Sequence, residues 1–395
     1  MPNIKESNNN TGNHLDLENL RLEEFREILQ VAEKKSDARL REVGKLIAEK
    51  QVYLYGFGGK GRALAQHISK AGNCALTVYD SRAETREAAR REDFQVIDDI
   101  GTIDINKSCV ILGACQAQAE QASIIKKNHI YFQEAAYYFD SPHLANSSRE
   151  FRSYILENVE TLYSKYKIIH IKSRGSFVSV LRFRISLDPN DLLPYKKNNA
   201  EMWFDILESQ SNKKYSTFLD IGAFDGDTLR FALDRLSITR GIAVEANPEL
   251  IESIKSVSTH FPDGVLILPH AAWSHDCHLS FSEVRNGMIQ VSESPDGEIA
   301  AAPLDEHIHE NIDLIKMDIE GAEIRALAGC RKTIVKYHPD LTIAAYHRPD
   351  DLVAIIDFID TNIDGAKPYD IHVRHYSDCI DDTILYFLEN SGEDK

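Results

Sequence analysis

Three carboxylates, Asp220, Asp225 and Asp227, fall within one short stretch, Phe218-Leu-Asp-Ile-Gly-Ala-Phe-Asp-Gly-Asp-Thr228, together with Gly222 and Gly226. Glycine is needed where a chain leaves a strand sharply or where a ligand touches backbone. A phosphate cradle wants positive charge and usually a P-loop lysine, yet this turn holds neither Lys nor Arg. The pattern points to a cationic ligand, and S-adenosylmethionine, with its ammonium and sulfonium, is one. Glu245 closes the next apolar run, Gly241-Ile-Ala-Val. An acid at the end of a second parallel strand can accept hydrogen bonds from ribose hydroxyls. Singly, either acid also reads as a solvated loop carboxylate; the pair after two strands carries the reading.

Methyl transfer asks a protein for in-line positioning of atoms about 3–3.5 Å apart and for a group to take a proton. Asp318, ending Ile312-Asp-Leu-Ile-Lys-Met, and His347, ending Leu341-Thr-Ile-Ala-Ala-Tyr, sit where central strands finish, and either could be the base. Asp318 reads equally as a helix-capping carboxylate, and His347 as a loop histidine. Asp318, Glu320 and Glu323 raise the question of a metal. The dipole of the helix they open explains the glutamates, so no metal is expected. His307-x-His309 and His275-x-x-His278 lack partners at zinc spacing.

A second motif, Gly56-Phe-Gly58-Gly-Lys-Gly61, is a full G-x-G-x-x-G between a strand and a helix, and Asp80 closes the following strand. That is the context of a dinucleotide site. The alternative is a fold kept for assembly, with glycines serving only helix–strand packing. On the functional reading, a second nucleotide is expected at Gly56, Gly58, Gly61 and Asp80.

The elements that must hold these residues read as two α/β units. Residues 1–50 are a polar, Asn-rich tail and one long or two shorter amphipathic helices. Residues 51–140 alternate strands and helices, implying a parallel sheet. Residues 141–215 form a connector punctuated by Pro142, Pro189 and Pro194, with basic residues read as a solvated face. Residues 216–395 give five strands with intervening helices, an irregular segment over Trp273–Ile299 suited to a lid or extra hairpin, and a final antiparallel pair. The fold class expected is α/β: two doubly wound, Rossmann-like domains, the second a seven-stranded class I methyltransferase sheet.

The chain has 395 residues, 43% apolar and 27% charged, as in an ordinary soluble protein. Its net charge of −17 argues against nucleic acid or anionic lipid as a bulk partner. No apolar run reaches the length of a membrane span, and the first residues carry no signal core. Six scattered cysteines without Cys-x-x-Cys fit reduced thiols and a cytoplasmic location. The apolar face of the N-terminal helices packs on the next domain or on a second copy in a homodimer.

Residues 216–388 resemble the FkbM family of S-adenosylmethionine-dependent O-methyltransferases. The matching pieces are Asp220-Ile-Gly-Ala-Phe-Asp-Gly-Asp227, Val244-Glu-Ala-Asn-Pro248, His270-Ala-Ala-Trp273, Leu304-Asp305, Ile315-Lys-Met-Asp-Ile-Glu-Gly-Ala-Glu323, Tyr346-His-Arg-Pro-Asp-Asp-Leu352 and Arg374-His-Tyr376. The resemblance implies a donor pocket lined by Asp220, Gly222 and Asp225, with Ala223, Phe224 and Gly226 in the same loop. It places Glu245 on the ribose beside Ala246 and Asn247, and His270 and Ala271 beside the adenine. It turns Lys316 and Asp318 toward the transferred methyl. The family methylates hydroxyls of sugars, glycans and polyketide products, so a small-molecule or glycan acceptor is expected. The N-terminal unit resembles, more loosely, Rossmann-like domains attached to sugar-modifying enzymes. Two alternatives stay open: a nicotinamide-dependent oxidoreductase using the N-terminal unit, and a non-catalytic sensor of adenosyl or nucleotide ligands.

Overall fold

The structure, a computed structural model, describes residues 16–72, 74–114, 117–141, 145–209, 213–283, 289–363 and 368–389. The Asn-rich tail expected over residues 1–14 and Pro142 lie outside them.

The chain opens with one helix, α1 (Leu22–Glu49), 28 residues long. The first unit follows: β1 (Gln51–Tyr55), α2 (Gly59–Ala71), β2 (Leu76–Tyr79), α3 (Ala83–Arg91), β3 (Gln95–Val96), β4 (Ser108–Leu112), α4 (Gln118–Ile125), β5 (His129–Ile130) and α5 (Phe132–Tyr138). Its sheet is parallel, in the order β3-β2-β1-β4-β5, with Val52 opposite Leu76 and Cys109. The order of strand addition reverses at β1, and the glycine-rich turn stands at that switch point, where open α/β sheets bind ligands.

Next come α6 (Ala145–Glu157), α7 (Val159–Ile168), α8 (Ile171–Ser186) and α9 (Asp205–Glu208). The basic residues of this stretch divide: Lys167, Lys172 and Lys197 are exposed as expected, whereas Lys165 and Arg184 are buried. Arg184 on α8 is wholly buried: Nη2 donates to the Ala345 carbonyl at 2.8 Å, and the guanidinium lies over the Phe151 ring. Helix α8 is buried nearly all round, and the reason is packing. It runs between α1 on one side and the C-terminal sheet on the other, so it shows water no polar stripe.

The second unit comprises β6 (Thr217–Ile221), α10 (Asp227–Leu236), β7 (Arg240–Val244), α11 (Ile251–Ser258), β8 (Val265–Leu268), β9 (Ala271–Ala272), β10 (Cys277–Glu283), β11 (Ile289–Glu293), β12 (Ile299–Ala302), β13 (Leu314–Met317), α12 (Glu323–Gly329), α13 (Arg331–Tyr337), β14 (Asp340–Ala344), α14 (Asp351–Asn362), β15 (Tyr369–His375) and β16 (Thr383–Glu389). The main sheet runs β15-β16-β14-β13-β6-β7-β8; β16 is antiparallel to β14 and β15, and the other pairs are parallel. The segment read as a lid or an extra hairpin holds the β10–β11 hairpin, which joins β12 and β9 in a small sheet, β11-β10-β12-β9.

Among the described residues, α1 and the β15–β16 connection join the units. Phe25, Leu29 and Ala32 of α1 pack into the C-terminal core, whereas Val43, Leu46 and Ile47 of the same helix pack into the N-terminal core. The β15–β16 connection reaches back as well: Cys379 lies in the N-terminal core. The buried Asp378 takes an N–H bond from Ala119 at 3.0 Å, and its carbonyl accepts from the Gln118 and Gln133 amides. No described helix is long and apolar enough to cross a membrane.

Candidate active site

The loop after β6 lies directly on the end of β13. A Cβ on Gly222 would stand 2.0 Å from the Asp318 carbonyl oxygen, and its φ of +80° is one that L side chains rarely adopt, so only glycine fits. Beneath the loop, Asp220 is fully buried, 3.1 Å from Lys316 Nζ and accepting from the Thr228 hydroxyl. Lys316 donates onward to the Gly222 carbonyl at 2.6 Å. The loop itself carries no lysine, but β13 supplies one from below. Burial alone would pull the Lys316 ammonium down; the Asp220 and Asp318 charges outweigh it, and its pKa is raised. Asp220 and Lys316 are thus a buried strut that shapes the loop from underneath. Neither stands on the loop's outer surface with Phe224 and Asp225.

Glu245, at the end of β7, is half-buried. One carboxylate oxygen accepts from Phe224 N at 2.9 Å and the other from Asn247 N at 2.7 Å, so both loops are organised around it. Phe224 is 61% exposed, an apolar ring at the mouth of the crevice. Past the end of β8, His270 Nδ1 lies 3.0 Å from the Ala271 carbonyl, and Nε2 is buried without a hydrogen-bond partner. Burial lowers its pKa, leaving the ring neutral. With the proton on Nδ1, the orphaned Nε2 is an acceptor suited to an exocyclic amine. Acid for ribose, acceptor for adenine amine and apolar ring at the mouth together fit an adenosyl donor.

Across the β13–β14 boundary stands a second cluster. Tyr346 Oη donates to Asp318, 3.1 and 3.2 Å from its two oxygens. His347 Nδ1 is 3.0 Å from Glu323 Oε1, and its Nε2 is 3.4 Å from Asp318 Oδ1. Glu323 also accepts from the Ile319 and Gly321 amides, fixing the turn in which Glu320 and Gly321 both have positive φ. Asp351 accepts from the backbone of His347 and Arg348. Burial lowers the His347 pKa, but the Glu323 bond and the Glu323, Asp318 and Glu320 charges overcome it, raising the pKa to about 9. Asp318 and His347, read separately from sequence, are therefore one unit. Tyr346 and Asp351 were missed; the run Tyr346-His347 with an acid four residues on was the available signal.

The N-terminal residues are gathered too, with a different balance. A Cβ on Gly61 would lie 2.2 Å from the Gly56 carbonyl oxygen, so that glycine serves backbone packing. Gly59 faces open space, and a Cβ on Gly58 would meet only the Arg82 guanidinium, at 3.8 Å. Asp80, at the ribose position, accepts from Phe57 N at 2.8 Å and from Arg82 N at 2.9 Å, as Glu245 does from its own loops, but Asp80 is buried where Glu245 is only half-buried. Lys60 pairs with Asp381 of the second unit. Elsewhere, a polar cavity of about 460 Å³ between α1, β5 and the turn after α8 has paired charges, Arg39 with Glu134 and Lys35 with Asp188, and lies away from both glycine loops.

A strand order with an antiparallel seventh strand, a glycine turn after the first strand and an acid after the second define an S-adenosylmethionine-dependent methyltransferase. Residues 220–367 match the family model of the methyltransferase FkbM domain. The crystal structure of methyltransferase FkbM from Methylobacillus flagellatus KT is similar over 93% of this chain and 100% of its own, with a TM-score of 0.70 and 18% identity. Its likeness extends through the N-terminal unit. Precorrin-6y C5,15-methyltransferase from Geobacter metallireducens GS-15 is matched at a TM-score of 0.28 and 13% identity, over 49% of this chain and 92% of its own. No curated protein matches the sequence.

Proposed function

We propose that the protein is an O-methyltransferase acting on a hydroxyl of a sugar, glycan or secondary-metabolite acceptor, in the cytoplasm. Bound at the β6–β7 end, S-adenosylmethionine supplies an electrophilic methyl on a sulfonium. Glu245 holds the ribose edge, His270 meets the adenine amine, and the Lys316–Asp220 strut keeps the Gly222 turn low enough for the donor to lie across it. Asp318 takes the acceptor's proton. His347 lies beside Asp318 with Glu323 fixing its ring from behind, while Tyr346 fixes the carboxylate's orientation. The N-terminal unit, through Lys60 and the Asp378 clamp, frames the acceptor side.

The observation that carries this reading is the partly buried Tyr346–Asp318–His347–Glu323 chain of contacts beside the donor loop. General-base catalysis contributes about 10²–10⁴-fold. Asp318→Asn should therefore lower kcat by roughly that factor on a hydroxyl acceptor from a panel of sugars and glycosides, with adenosyl-ligand affinity unchanged. Full activity in Asp318→Asn, or methylation confined to nitrogen or carbon acceptors, would overturn it.

A further inference from the structure

We propose that the cluster beyond β13 and β14 is a divalent-cation site formed by Asp318, Glu320 and His347, with Glu323 orienting the histidine from behind. The inference rests on the methyltransferase reading and specifies how that site handles the acceptor oxygen. The sequence suggested no metal, because a helix dipole accounts for Glu320 and Glu323 when they are read alone. In space, Glu323 is 1% exposed and hydrogen-bonds the imidazole, so the dipole does not describe it.

Geometry sets this cluster apart from an acidic surface. Asp318, Glu323 and His347 each offer a ligand-type atom, all within 4.8 Å of one another, and the exposed Glu320 brings a carboxylate oxygen to 3.7 Å from the imidazole. Nδ1 of His347 is used by Glu323 at 3.0 Å, which directs Nε2 the other way. That Nε2 belongs to a side chain nine-tenths buried, and no hydrogen bond to it occurs among the described residues. It is aimed between Asp318 Oδ1 at 3.4 Å and Glu320 Oε2 at 3.7 Å. Those separations exceed a good N–H···O bond. They suit two ligands on one cation, each about 2.0–2.2 Å from it. A carboxylate behind a ligating histidine is the arrangement that fixes its tautomer and ring orientation. Glu323 Oε2 is also buried and without a hydrogen-bond partner, so this pocket holds more acceptor capacity than its protein donors use.

The ligand class is a hard or borderline divalent ion bound by carboxylates and one imidazole, such as Mn²⁺ or Mg²⁺. Such an ion would polarise an acceptor hydroxyl placed against it, so that its proton passes more readily to the Asp318 carboxylate oxygen not facing the ion. An acceptor with two neighbouring hydroxyls, as on a sugar ring, could take two positions on the ion.

The test is Mn²⁺ titration of the full chain by electron paramagnetic resonance, with S-adenosylhomocysteine binding measured by calorimetry on the same samples. One bound Mn²⁺ per chain is expected, with affinity lowered about 10–100-fold by Glu323→Gln and abolished by Asp318→Asn with His347→Ala. Unchanged adenosyl-ligand affinity and circular dichroism would show that these variants fold. No bound Mn²⁺, or Mn²⁺ bound equally by the variants, overturns the site. Mn²⁺ binding without adenosyl-ligand binding supports the site while removing the donor reading, and the converse removes the site alone.

Discussion

Lys316 and Asp220 are each at least nine-tenths buried, and each is the other's countercharge. Removing one partner of such a pair leaves a charge in a low-dielectric interior, at a cost of about 3–5 kcal/mol. Lys316→Met should therefore destabilise the fold by that amount in urea unfolding. Lys316→Met with Asp220→Asn should recover part of the loss, because no charge is then stranded. A single variant as stable as the parent would show that Asp220 is neutral in the folded chain. The pair also shows where sequence reading stopped. Asp220, Glu245, Asp318 and His347 are legible because each ends or interrupts an apolar run. That Lys316 sits opposite Asp220 depends on the register of β13 on β6, and register between distant strands leaves no mark on either one.

Helices α1 and α8 show the same division at the scale of elements. The charged, amphipathic pattern of α1 declares a helix, though not that its two halves serve different cores. Phe25 is fully buried in the C-terminal core, edge-on to Tyr163. Phe25→Ala should cost about 3–5 kcal/mol, and thermal unfolding followed by near-ultraviolet circular dichroism would show it. A change confined to far-ultraviolet signal from a frayed α1 would contradict the helix's role as a splint. Helix α8 escaped because periodicity reveals a helix only when one face meets water. Its Phe177-Val-Ser-Val-Leu run, buried throughout, looks as much like strand as helix.

At the scale of the molecule, alternating apolar runs and helices made both parallel sheets legible, including the antiparallel last pair. The clamp between units was not: nothing about Asp378 in sequence says that Ala119, Gln118 and Gln133 will hold it. Long-range burial also sets the pH response. His375 is pulled down to about 3 by burial and by Arg184 and Lys196; His372 is lowered to about 3 by burial and by His170, Arg374 and Lys172. Both folded-state values lie below the ordinary value near 6.5, so the unfolded chain takes up protons that the folded chain refuses. Their contribution is complete above about pH 6.5 and is lost as pH falls toward 3, at about 1.4 kcal/mol per pH unit for each histidine. Urea unfolding at pH 7 and pH 5 should show this slope, and His372→Asn with His375→Asn should flatten it. An unchanged slope in that variant would place the acid sensitivity elsewhere.

Isothermal calorimetry of S-adenosylhomocysteine binding to the parent and to Glu245→Ala tests the adenosyl-donor crevice most directly. Binding near micromolar strength is expected, about −8 kcal/mol. The variant should be weaker by roughly 10–100-fold, the range for a lost hydrogen bond to a charged group. No heat from the parent, or equal affinity in both proteins, would mean that the acid after the second strand holds no ribose.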